Sequence, residues 1–240
     1  MFTKALPSCF TVGNLFLGIV SIILAIENSW QYAAFMVILG MLLDGLDGRV
    51  ARMLNKESEF GKELDSLSDV ISFGVAPAII MFLSVFRDLG PEGWLVTAIF
   101  PICGALRLAR YNVHPGDPDF FSGLPITAAG GILATMALYK EYVSNPYYLM
   151  LGMLFISFLM VSQIKYPKFK KVGFSKFTFW IAPLFVILIA LSAFFFPREL
   201  PKIMFIPLVL YALYGIKKTF DARGEGNDEE LDEEPLNDVK

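Results

Sequence analysis

The chain alternates long apolar runs with short polar breaks, and that alternation leaves few folds open. Eight runs reach or approach the length of a membrane-crossing helix, with approximate limits 8–26, 30–54, 66–86, 93–111, 124–142, 147–164, 176–196 and 200–217. A helix needs about 20 apolar residues to cross a hydrocarbon core, where each backbone polar group must be satisfied within its own segment. The runs are continuous and not alternating, so a transmembrane barrel does not fit. Charged residues make up only 18% of the 240, against about 25% for a soluble domain. The reading is all-α: a polytopic transmembrane helix bundle of about eight spans. The last two runs divide at FFFPRELPK, where two prolines and three charges favour a turn. The first run lacks a cleavage-like end and carries Thr11, Asn14 and Glu27, so it reads as a span and not a signal peptide.

The net charge of −3 hides two unlike parts. From Asp221 onward the chain holds nine acids and two bases, leaving 18 bases and 14 acids in the body. With the N-terminus inside, 16 of the 20 Lys and Arg residues fall on the inner side; Arg87, Lys140, Arg198 and Lys202 are outside. That asymmetry orients a multi-pass protein of the cell (inner) membrane with both termini cytoplasmic. Residues 219–240 read as a disordered acidic tail. The basic, aromatic loop KYPKFKKVGFSK attracts anionic head groups or, alternatively, brings Lys165 to the site. Cys9 and Cys103 sit in apolar runs as packed thiols, and His114, the one histidine, lies in a polar loop. Zinc sites and imidazole triads are poor candidates, and no nucleic-acid partner is read.

Charge next to a span is costly, and Asp44–Asp69 concentrates it. Asp44 and Asp47 are three apart, with Arg52 eight beyond Asp44; Asp65 and Asp69 are four apart. On helices each set shares a face, and a short hairpin (NKESEF, then Gly61) turns the two faces toward one volume. Four carboxylates there cannot all stay ionised without cations. Oxygen-only donors suit hard divalent ions, Mg²⁺ or Mn²⁺, and two such ions would clamp a phosphoryl group. Gly45 and Gly48 leave the backbone open to a phosphate, and Arg52 offers a fork for diphosphate oxygens. The pattern reads as phosphoryl transfer on a diphosphate. A structural salt-bridge cluster and an ion- or proton-conducting site are the alternatives.

Asp44-x-x-Asp47-Gly48-x-x-Ala51-Arg52, eight residues, then Gly61-x-x-x-Asp65-x-x-x-Asp69 resembles the full signature of the CDP-alcohol phosphatidyltransferases. The resemblance implies a catalytic core of about six transmembrane helices, often dimeric, with its active site at the cytoplasmic side. It implies that Asp44, Asp47, Asp65 and Asp69 hold one or two divalent metals. Gly48, Ala51 and Arg52 would contact the CDP part, and Asp69 would be the general base for the incoming alcohol.

Further stretches resemble the serine-using branch of that family: Thr11-x-x-Asn14 with Gly18, Arg107-Leu-Ala-Arg110-Tyr111-Asn112, Phe121-x-Gly123-Leu124-Pro125, and Ser162-x-x-Lys165-Tyr166-Pro167. Thr127 stands where the family has proline. The expectation is a transmembrane core over 1–168, two additional helices over 169–218 and the tail. The substrates implied are CDP-diacylglycerol and L-serine, or for a sister specificity glycerol 3-phosphate or inositol phosphate. A serine carboxylate calls for a cation, and Arg107, Arg110 and Lys165 lie on the motif's side; the two arginines are otherwise positive-inside anchors. Thr11 and Asn14 face the nucleotide or else hydrogen-bond between helices.

Overall fold

The structure is a computed structural model that describes residues 2–53, 58–114, 120–167, 204–217 and 219. The expected span over 176–196, the FFFPRELPK turn and the acidic tail lie outside the described residues. Among those described there are seven helices: α1 (Phe2–Ile26), α2 (Trp30–Met53), α3 (Glu59–Leu89), α4 (Pro91–Val113), α5 (Ile126–Tyr139), α6 (Pro146–Val161) and α7 (Met204–Lys217). Each overlaps an expected run. Ser8–Ile26 of α1, α3 and α4 are long and apolar enough to cross a membrane, while Trp30–Leu46 of α2, α5, α6 and α7 are shorter apolar helices. The chain is a mostly helical membrane protein.

Small residues mark the places where its helices meet closely. Ala25, Ala33, Ala34, Ala76, Ala78, Ala129 and Ala134 are buried between helices. Phe16, Ile19 and Ile23 of α1, Leu95 and Ile102 of α4 and Phe155 and Phe158 of α6 point outward. Lipid is as apolar as leucine, so helices associate in it through close packing of small residues, and large apolar side chains can face the chains of the bilayer.

α1 and α2 form an antiparallel hairpin. Asn28, at φ 60°, ends α1 in the left-handed conformation, and the Ser29 N–H reaches back to the Leu24 carbonyl at 2.8 Å. Across the hairpin Ser21 Oγ donates to the Ala33 carbonyl at 2.8 Å.

α3 begins earlier than its apolar run. Expected near residue 66, it starts at Glu59, with Ser58 as cap: the Gly61 N–H donates to Ser58 Oγ at 3.0 Å. Gly61 therefore belongs to the first turn and not to the hairpin loop. The charged turns Glu59–Asp69 carry the helix beyond the segment that apolarity alone outlines. Straight after Asp69 the helix widens into π-type turns over Val70–Val75, where the Ala76 N–H bonds the Ile71 carbonyl. Pro77 supplies a reason, since its ring would clash with the carbonyl four residues back, that of Phe73.

One element departs from the all-helical expectation. β1 (Phe120–Ser122) and β2 (Lys165–Pro167) pair antiparallel, with Phe121 opposite Tyr166 and Ser122 opposite Lys165. This clip joins the approach to α5 to the exit from α6. It is followed by Gly123, at φ +79°, whose Cβ would overlap the Met160 carbonyl oxygen. Only glycine satisfies both demands.

Candidate active site

Helical spacing brings together three of the four carboxylates expected to converge. α2 delivers Asp44, and α3 delivers Asp65 and Asp69 one turn apart. One carboxylate oxygen from each of the three lies within 4.8 Å of the others. α2 stays helical through Asp47, Gly48, Ala51 and Arg52. The side chains of Asp47, Ala51 and Arg52 lie outside the described residues. Gly45 is exposed, and among the described residues nothing crowds the place a Cβ would take, so the backbone beside Asp44 is open there.

Asp69 is the most enclosed of the three, 7% exposed. α1 encloses it. Ser68 Oγ donates to the Thr11 carbonyl at 3.1 Å and Ser72 Oγ to the Asn14 carbonyl at 3.0 Å. Gly18 lets the helices approach there, because a Cβ would overlap Ser72. Between those two clamps the fully buried Asn14 side chain points at the cluster, and its Nδ2 donates to Asp69 Oδ1 at 3.4 Å. Gly40 of α2 leaves the room, since a Cβ would come within 2.9 Å of Asn14 Oδ1. Both sequence alternatives for Thr11 and Asn14 bear on this: Thr11 makes a helix-packing contact through its backbone, while Asn14 touches a motif carboxylate.

α4 closes another side. Asn112 Nδ2 donates to Ser66 Oγ at 2.9 Å, tying the end of α4 to the turn between Asp65 and Asp69. Arg107 is buried, with its guanidinium 5.7 Å from the Phe121 ring centroid and within electrostatic reach of Asp69. Among the described residues its Nε has no hydrogen-bond partner. Arg110 is used differently. Its Nη1 donates to the Val161 carbonyl at 2.9 Å, and its Nη2 to the carbonyls of Ser162 and Ser122 at 3.2 and 3.4 Å. These carbonyls belong to the end of α6 and to β1, so Arg110 fastens the clip. Lys165 sits in β2; its side chain lies outside the described residues.

The residues present fit a hard divalent cation. Three converging carboxylates in an enclosed place repel one another, and an all-oxygen donor set is what Mg²⁺ or Mn²⁺ takes. The packing of α1, through Ser68, Ser72, Gly18 and Gly40, was missed by sequence reasoning. Small residues on apolar faces were a signal for close helix approach, but not for which helices meet.

The family model described as CDP-alcohol phosphatidyltransferase matches residues 4–213. The chain is 41% identical over 221 residues to a CDP-diacylglycerol–serine O-phosphatidyltransferase of Helicobacter pylori (strain ATCC 700392 / 26695), covering 88% of this chain and 89% of that one. It is 37% identical over 166 residues to the protein of the same name from Bacillus subtilis (strain 168), covering 69% and 92%. It is 40% identical over 174 residues to the archaetidylserine synthase of Methanothermobacter thermautotrophicus, covering 71% and 73%.

Proposed function

We infer the activity from one premise: the chain belongs to the CDP-alcohol phosphatidyltransferase family. It is a CDP-diacylglycerol–serine O-phosphatidyltransferase, passing the phosphatidyl group of CDP-diacylglycerol to the hydroxyl of L-serine and releasing CMP and phosphatidylserine. The observation that carries this is the convergence of Asp44, Asp65 and Asp69 within 4.8 Å beside the buried Arg107.

The serine oxygen attacks the β-phosphorus of CDP-diacylglycerol. As that O–P bond forms, the bond from phosphorus to the bridging oxygen breaks and CMP departs with the electron pair. The hydroxyl is a weak nucleophile until a base takes its proton in the transition state, and Asp69 is that base. Asn14 orients Asp69 by its hydrogen bond. Asp44, Asp47, Asp65 and Asp69 would hold Mg²⁺ or Mn²⁺. Such an ion offsets charge on the diphosphate and makes the phosphorus more electrophilic. Gly48, Ala51 and Arg52 contact the CDP part, with Thr11 and Asn14 beside it. Arg107 receives the serine carboxylate, Lys165 adds charge near it, and Arg110 contributes chiefly by holding the clip on which that part of the site rests.

The same reading sets the architecture. Residues 1–168 make a six-helix catalytic core within an eight-span bundle, 169–218 add two helices, and 219–240 form the acidic tail. The active site and both termini are cytoplasmic, in the cell (inner) membrane, so that the lipid tails stay in the bilayer while CMP and serine exchange with water. The chain works as a homodimer, as the family implies. Purified protein with CDP-diacylglycerol and Mg²⁺ or Mn²⁺ should release CMP when L-serine is added. Release with glycerol 3-phosphate or inositol phosphate but not with serine would move it to a sister specificity, and no release with any alcohol would refute the enzyme reading.

A further inference from the structure

Among the described residues, two buried donors outside the carboxylate cluster, Arg107 Nε and Tyr166 Oη, lack a hydrogen-bond partner, and Tyr166 is completely buried. A buried donor without an acceptor costs free energy, and such groups call for an explanation. Burial also holds the Tyr166 phenol well above its ordinary pKa, so at neutral pH it keeps its proton and can donate.

The two are linked through Tyr211 of α7. The Tyr211 ring lies 5.7 Å from that of Tyr166, tilted by 43°, and Tyr211 is within electrostatic reach of Arg107. Gly215, one turn further along α7, lies so close to Tyr166 that a Cβ would overlap its ring. On the other side Phe121 faces Tyr166 across the β1–β2 pair, lies under the Arg107 guanidinium and packs on Tyr111 at 5.8 Å. Arg107 thus stands among aromatic rings drawn from three elements, Phe121 of β1, Tyr111 of α4 and Tyr211 of α7.

Arg107 has a spare N–H and Tyr166 a protonated phenol; both adjoin Tyr211, and each suits an anionic oxygen. In this reaction such an oxygen comes from the carboxylate of the acceptor or from the diphosphate of the lipid donor. Asp44, Asp65 and Asp69 already converge at the place suited to metal and diphosphate, which leaves the carboxylate for the aromatic side.

We propose that α7 completes the acceptor site, with Tyr166 as a specificity-determining donor to the acceptor carboxylate and Tyr211 as the positioning residue that holds Tyr166 and Arg107. This rests on the phosphatidyl transfer to serine inferred above. α7 lies beyond the motif-bearing core, so the acceptor preference depends in part on a helix that carries none of the signature residues.

The test uses the purified full-length protein, CMP release, and separate titrations of L-serine and CDP-diacylglycerol. Tyr166→Phe should raise the KM for serine by about 10- to 100-fold, the effect of one lost hydrogen bond to a charged group, and leave the KM for CDP-diacylglycerol unchanged. Tyr211→Leu should shift the serine KM in the same direction, and Tyr211→Phe, which keeps the ring, should restore it. Should Tyr211→Leu lose its melting transition in detergent, Gly215→Ala, which pushes on Tyr166 from the same helix, takes its place. An unchanged serine KM in Tyr166→Phe overturns the proposal. So does a rise in the CDP-diacylglycerol KM alone, which would assign the donors to the diphosphate, or a parallel rise in both. If the wild-type protein releases CMP with no serine dependence, the underlying activity is wrong, and that control separates the two failures.

Discussion

The Asn14 side-chain amide donates to Asp69 Oδ1 at 3.4 Å, joining the first helix to the third across 55 positions of sequence. Asn14 is fully buried, and among the described residues its Oδ1 has no partner, so this contact orients the side chain and the carboxylate together. Asn14→Leu should lower kcat for CMP release by about 10- to 100-fold, the range of one hydrogen bond to a charged group. If Asp69 keeps its position without Asn14, kcat stays at the wild-type value while only the melting temperature moves.

Removing charge from the cluster should separate binding from turnover. In Asp44→Asn and Asp65→Asn, the Mn²⁺ concentration for half-maximal activity should rise, because a neutral amide is a poorer ligand for a hard cation. Asp69→Asn should cost about 10²- to 10⁴-fold in turnover, the usual contribution of a general base. Turnover retained by Asp69→Asn would remove its role as base.

Arg107 and Arg110 lie three apart on one helix but are set different tasks. Arg110→Lys replaces a fork that reaches three carbonyls with a point charge that cannot, and should cost about 1–3 kcal/mol of stability. Its main effect should appear as a lower melting temperature in detergent. Arg107→Lys should instead raise the KM for serine with little change in melting. The reverse assignment of effects would exchange the two roles.

Gly123→Ala should destabilise the clip. The backbone is at φ +79° and the added Cβ meets the Met160 carbonyl. Left-handed strain alone costs about 1–3 kcal/mol for a residue with a Cβ, and the overlap adds to it. A thermal melt unchanged from wild type would show that this junction does not pack as described.

Much of this was legible in advance, for reasons that can be named residue by residue. The helices followed from continuous apolar runs, and the shared face of Asp65 and Asp69 followed from helical spacing; the side chain of Asp47, expected to share a face with Asp44, lies outside the described residues. The start of α3 was misjudged because apolarity marks where lipid begins and not where a helix does; Ser58 and Gly61 were the better signal. The β1–β2 clip was invisible, since three-residue strands have no period to detect and their pairing joins positions 43 to 47 apart.

The sequence by itself determined the class of solvent, the helical elements and the chemistry of the motif, because hydrophobic run length, helical period and carboxylate spacing are local properties. Only the tertiary structure decided that Asn14 serves Asp69, that Arg110 is spent on carbonyls while Arg107 Nε has no partner among the described residues, and that Tyr211 reaches Tyr166. Within lipid no hydrophobic force selects one helix pair over another. The choice falls to close packing at residues such as Gly18, Gly40 and Gly215 and to a few interhelical hydrogen bonds, and those depend on the whole bundle being assembled.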